Sequence, residues 1–189
     1  MKERIWTFMD KKAWGPGPWQ DEPDKIQYPD PETGLPCLAV RNTLGSWCGY
    51  VGVLPGHKFY GLDYNTCSAD RGCKDEGYFC EHTPDSILEV HGGVTFSDFC
   101  QERTEGDEHY KSVCHVTEPG EEDRVWWIGY DTAHCQDLVP GMKRFAYLGG
   151  IYRTLDYIKA QNAKLAGQLA AMQPKPEKPI RVFRNRREE

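Results

Sequence analysis

One stretch constrains the fold more than any other: Val125-Trp126-Trp127-Ile128-Gly129-Tyr130-Asp131-Thr132-Ala133-His134-Cys135-Gln136-Asp137. Its first half is an apolar run of β-branched and aromatic residues, which reads as a buried strand. Its second half turns abruptly polar, with Asp131, His134 and Asp137 spaced three apart. A buried strand that ends in titratable side chains is a common way to build a site. If the chain turns helically there, residues three apart share a face and the three side chains converge. Asp and His so placed suit a general acid/base pair or a divalent metal, the only cofactor that the sequence suggests. The structural alternative has Asp131 capping a helix and His134 making a buried hydrogen bond.

A second stretch, His91-Gly92-Gly93-Val94-Thr95, follows a short apolar run at Ile87–Val90 that reads as a strand. Glycines let the backbone turn sharply and bring its N–H groups close to a phosphate, with the Thr95 hydroxyl as a further contact. The alternative is a plain Gly-Gly turn. It is not a Walker loop, because the Gly-Lys-Ser/Thr ending is missing. The segment Gly56–Tyr64 reads either as a flap, with contacts from His57, Tyr60 and Tyr64, or as a surface loop. Tyr60, Tyr64 and Trp126 could stack on a base, and Arg153 could pair with a phosphate or form a surface salt bridge. Cys67, Cys73, Cys80 and His82 suit a structural zinc by ligand type, but they lack Cys-x-x-Cys spacing, which leaves thiols and disulfides open. No Gly-x-Ser-x-Gly elbow occurs. Cys114 and His115 are adjacent, so on a strand they would face opposite ways.

Around these stretches the chain divides into an irregular arm (1–35) pinned by Trp6, Trp14 and Trp19, one α+β domain (36–172) and a flexible basic tail (173–189). The expected architecture is a mostly antiparallel sheet with long loops and a C-terminal amphipathic helix packed on it. Leu35–Arg41 and Trp47–Leu54 read as a hairpin, and Ser112–Val116 as a further short strand. The helix is marked by Ile151, Leu155, Ile158, Leu165, Leu169 and Met172, with Asn162 on the same stripe and Pro174 as a stop. Such a stripe either covers the sheet or, through its single Asn, pairs with a second copy as a homodimer.

Net charge is -6. The segment from Gln173 to Glu189 carries six cations and three acids, so it is +3 and the remainder -9. That balance argues against duplex nucleic acid as a partner, since duplex binding needs clustered cations. No apolar run is long enough for a bilayer and the start lacks a secretory h-region, so a cytosolic protein with no membrane partner is expected. Its eight Cys then read as thiols or metal ligands before disulfides.

Several stretches together resemble a family of small proteins carried by bacteriophages and prophages. They are Cys48-Gly49-Tyr50-Val51-Gly52-Val53 with Gly56-His57, Glu89-Val90-His91-Gly92-Gly93-Val94-Thr95, Trp126-Trp127-Ile128-Gly129-Tyr130-Asp131-Thr132-Ala133-His134, and Tyr152-Arg153. The resemblance implies an accessory protein acting in the cytoplasm of a host bacterium, in a setting where such genes often counter defences that signal through small nucleotides. It carries over no catalytic residues. Three functions follow as expectations. The first is a hydrolase of a phosphoester-containing nucleotide or related small molecule, with His91 and His134 as acid and base and Asp131 orienting one of them. The second is a non-catalytic protein that sequesters a nucleotide signal. The third is an inhibitor that binds a basic host protein through the acidic segment Glu102–Glu108.

Overall fold

The computed structural model describes residues 1–68, 80–100, 113–142 and 149–172. Among these, the strands are β1 (Arg4–Trp6), β2 (Lys25–Pro29), β3 (Pro36–Arg41), β4 (Trp47–Val53), β5 (Phe96–Phe99) and β6 (Trp126–Asp131). The α-helices are α1 (Pro84–Ile87) and α2 (Leu155–Ala171). The six strands form one antiparallel sheet in the order β1-β2-β3-β4-β6-β5. The α+β architecture expected from the sequence is therefore present, with α2 lying on the sheet.

Alternation along the strands builds two cores. Ile26, Cys37, Ala39, Trp47, Val51, Val53, Trp126, Ile128 and Tyr130 face α2, where they meet Ile158, Leu165, Ala166 and Leu169. Leu38, Val40, Tyr50, Val125 and Trp127 form the core of the opposite face. Because both faces are covered, β6 is buried from Trp126 to Tyr130 and reads as a continuous apolar run. Each large aliphatic side chain so buried contributes about 1.5–3 kcal/mol.

The arm is the first departure from expectation. Residues 1–35 are not irregular throughout: they supply β1, β2 and two 3-10 turns at Lys12–Trp14 and Pro18–Gln20. The strand β2 escaped the pattern because its residues on the face away from α2 are polar although buried. Lys25 is buried and donates to Cys114 O at 2.6 Å. Gln27 is buried too, and donates to Lys2 O and Val116 O. Two further strand assignments change. Ile87–Val90 is the end of α1 followed by coil, since Pro84 at the first turn and the Thr83/Ser86 capping box start a helix there. Residues 113–116 are coil, and the missed edge strand is β5.

The helix also starts later than its apolar stripe suggests. Ile151 is exposed and forms a parallel bridge to Asp137 instead of opening the helix. Thr154 is the N-cap, its hydroxyl accepting from Tyr157 N. Asn162 lies on the buried side: its amide donates to Tyr28 OH at 3.1 Å and to Leu38 O at 2.9 Å, while its Oδ1 accepts from Tyr130 OH at 3.1 Å. A side chain on Gly49 would collide with the Tyr130 hydroxyl and with Asn162 Oδ1. The stripe thus packs on the sheet, and helix pairing through it would require α2 to leave the core.

The arm is tied to the helix by a buried ionic network. Arg41 is stacked over Trp47, its Cζ 4.1 Å from the ring centroid, and its Nη2 donates to Glu22 Oε2 at 2.8 Å. Its Nε lies 3.5 Å from Asp24 Oδ1, which also holds Lys11 Nζ at 2.7 Å. Glu22 also accepts from Trp47 Nε1, Tyr152 OH and Leu155 N. Burial tends to raise the Glu22 carboxyl, but these hydrogen bonds outweigh it and hold the group below its ordinary value.

Candidate functional site

At the C-terminal end of β6 the chain turns at Asp131, passes His134 and reaches Asp137 without forming a helix. Asp137 is held by the bridge to Ile151, with Ile151 N donating to Gln136 O and Leu138 N donating to Ile151 O. This bridge sets Arg153, two residues on, beside the Asp137 carboxylate. Arg153 Nε donates to Asp137 Oδ1 at 2.7 Å. The other oxygen, Oδ2, accepts from His91 Nε2 at 2.8 Å and from His134 N at 3.1 Å. Burial favours the neutral acid, yet the bonds from Arg153, His91 and the His134 N–H win and hold the Asp137 carboxyl below its ordinary range. It is therefore an anion near neutral pH, and His91 Nε2 must carry a proton to donate to it.

The second ring nitrogen of His91, Nδ1, lies 2.9 Å from Tyr157 OH. Its backbone N–H donates to Gln161 Oε1 at 3.0 Å. Arg153, Tyr157 and Gln161 are spaced four apart, so they rise along one side of α2 and its approach. The Arg153 guanidinium carbon sits 5.0 Å from the Tyr157 ring centroid. Among the described residues only its Nε is hydrogen-bonded.

His134 joins from the other side. Its ring centroid is 5.4 Å from that of His91, at 50°. Its Nε2 is buried against Gly92, lies 3.8 Å from Asp131 Oδ1 and has no hydrogen-bond partner among the described residues. Gly92 has φ +69°, and a Cβ there would run into His134 Nε2. The two glycines thus permit a tight turn under an imidazole. They form no phosphate cradle at Gly93, whose N–H donates to Val90 O at 3.0 Å.

His134 lies beside both His91 and Asp131, but the roles differ from those expected. Asp131 accepts from Ala133 N at 2.9 Å and from the Thr95 hydroxyl at 3.5 Å, which makes it a turn cap. The carboxylate that orients a histidine is Asp137. A metal on Asp131, His134 and Asp137 does not fit: both Asp137 oxygens are engaged by Arg153, His91 and His134 N–H. Among the described residues no group of three His, Cys, Asp or Glu is placed to hold a metal ion. The zinc reading falls partly outside the described residues, because Cys73 does. Of its other members, Cys67, Cys80 and His82 form no such group.

The remaining candidates stand elsewhere. His57 is buried, accepting from Phe59 N at Nδ1 (3.1 Å) and bonding Leu169 O through Nε2 (3.0 Å). It pins its loop to the end of α2. Trp126 is buried and edge-on to Phe99, 4.7 Å between centroids; Phe99 also touches Tyr60 at 5.7 Å. Trp126 begins β6 and Asp131 ends it, a separation on the order of 16 Å at about 3.3 Å per residue. Tyr64 N donates to Ser97 Oγ in β5. These aromatics build core and edge, and none of these contacts is with His91 or Asp137.

Tyr157 and Gln161 were missed by sequence reasoning. Their signal was the four-residue spacing from Arg153, which has meaning only once the facing side of α2 is known. The buried Cys37 and the part-buried Cys48 are unsuited as nucleophiles: desolvation pushes Cys37 up to about 12 and Cys48 up to about 11. Cys100 and Cys114 are joined in a disulfide with Cα atoms 4.8 Å apart, contrary to the thiol expectation. It ties the end of β5 to the segment whose His115 packs edge-on to Trp127. No helix among the described residues is long and apolar enough to cross a membrane. No family model, curated protein or solved structure matches this chain.

Proposed function

We propose that the protein is a hydrolase of a phosphoester-containing nucleotide or related small molecule, using the site at the end of β6. The observation that carries this reading is the His91–Asp137 pair at 2.8 Å, with Arg153 on the second carboxylate oxygen and His134 alongside. Asp137 fixes the His91 tautomer and stabilises the imidazolium, as an orienting carboxylate does for a general base. The pair takes up the proton of the attacking water while a P–O bond to that water forms and the bond to the leaving oxygen breaks. A protonated His134 returns a proton to the leaving oxygen, and solvent restores it. The Nη nitrogens of Arg153, without a hydrogen-bond partner among the described residues, supply charge and hydrogen bonds for a phosphoryl oxygen.

A sequestering protein is the second reading, favoured by the engagement of both His91 ring nitrogens. The resemblance to phage-carried proteins would set either role inside a host bacterium, against a nucleotide signal. A turnover assay against cyclic and linear nucleotides separates them. Product formation that His134→Ala abolishes while binding persists supports the hydrolase; ligand recovered intact from the unaltered protein supports sequestration.

A further inference from the structure

His91 has no free ring nitrogen with which to meet a substrate. Its Nε2–H is committed to the Asp137 carboxylate at 2.8 Å, so in the neutral ring Nδ1 carries the lone pair and accepts the O–H of Tyr157 at 2.9 Å. Three groups therefore form a directed chain: Tyr157 donates to His91, and His91 donates to Asp137. This is the nucleophile–base–orienter logic with a phenol at its open end. Tyr157 is part-buried, and Arg153 lies over its ring. The N–H of Tyr157 is satisfied by the Thr154 hydroxyl, and the first N–H of α2 by Glu22, so the helix end itself offers little to an anion.

Resting on the hydrolase reading, we infer that Tyr157 is the group through which the site exchanges its proton with the reacting water. The step balances. The water proton passes to the Tyr157 oxygen as the Tyr157 proton passes to His91 Nδ1, and the water oxygen bonds to phosphorus while the leaving oxygen departs. The imidazolium is held against Asp137 and afterwards loses its proton back along the same path.

The test uses the full chain, with bis(p-nitrophenyl) phosphate as probe, and compares the unaltered protein with Tyr157→Phe, His91→Gln and the double variant. Each single change should lower kcat about 100-fold, the usual weight of general base catalysis. The double variant should lose no more than either single, because residues acting as one relay are not additive. Multiplying losses, or a Tyr157→Phe variant within twofold of the unaltered protein, would overturn the inference. A second measurement needs no turnover: the 15N spectrum of labelled histidine. It should show His91 protonated at Nε2, with an Nδ1 signal that moves on Tyr157→Phe. An Nδ1 signal unmoved by that change overturns the relay. If the probe is not hydrolysed at all while the Nδ1 signal still moves, the hydrolase reading fails and the inference with it, leaving only the Tyr157–His91 hydrogen bond; if the probe is hydrolysed while Tyr157→Phe changes nothing, the inference alone fails.

Discussion

Glu22 Oε1 accepts the hydrogen bond of Leu155 N at 2.8 Å, so a carboxylate from the N-terminal arm closes the first turn of the helix that carries the site. The same side chain holds Arg41, Trp47 and Tyr152. A contact 133 residues apart in sequence thus fixes where Arg153 and Tyr157 begin. Replacing Glu22 by Ala would leave Arg41 buried with Asp24 as its remaining carboxylate. Breaking a buried ion pair in this way should cost about 3 kcal/mol, read as a lower urea midpoint. An unchanged midpoint would mean that the arm does not support the helix.

Gly92 should tolerate no side chain. Gly92→Ala combines a left-handed φ of +69° with a collision against His134. A loss of about 1–3 kcal/mol is expected, together with displacement of the His134 ring visible in its proton resonances. A stable variant with unmoved His134 signals would remove Gly92 from the account.

Asn162 is the polar centre of the helix–sheet contact. Asn162→Leu leaves Leu38 O and Tyr28 OH without that partner, at about 1–3 kcal/mol for each buried group left unsatisfied, while Tyr130 OH keeps its bond to Ile158 O. Thermal unfolding measures the loss. The same variant separates packing from pairing: its association state by light scattering should match that of the parent chain, because Asn162 faces the sheet.

The elements that the sequence revealed are those whose alternation is apolar. The hairpin β3–β4, the strand β6 and the stripe of α2 were all visible, because each buries hydrocarbon on a regular period. The strand β2 was hidden by Lys25 and Gln27, which are buried through hydrogen bonds that no hydropathy pattern reports. The edge strand β5, Phe-Ser-Asp-Phe, is too short to carry a period. At the site, His91, Asp131, His134 and Arg153 were legible as chemistry-bearing residues at the ends of elements. Which carboxylate serves His91 was not, because it depends on the Asp137–Ile151 bridge, a contact with no local signature. Tyr157 was hidden for the same reason, being one polar residue on a helix whose facing direction only the fold decides.

Acid should destabilise the fold through its buried imidazoles. Burial lowers His57 below its ordinary 6.5, the bond to the Leu169 carbonyl opposing only in part, and burial lowers His115 likewise. Below pH 6.5 the unfolded chain binds protons at these sites that the folded chain refuses, so stability falls as pH drops through that value and toward the folded pKa. Glu22 and Asp137, both lowered, extend the loss to more acidic pH, below their ordinary 4.5 and 3.8. Urea midpoints at pH 8, 6.5 and 5 should decline in that order. A His57 ring titrating at or above 6.5 by NMR would contradict the assignment.

The central claim, that the His91–Asp137 pair works as a base with its orienting carboxylate, is tested most directly by Asp137→Asn. The change keeps the volume but removes the charge that stabilises the imidazolium and permits the wrong tautomer. On any nucleotide that the unaltered protein hydrolyses, kcat should fall at least about 100-fold, with binding and the circular dichroism of the fold retained. A variant that turns over at the parent rate would show that the pair is a structural tie and not a catalytic one.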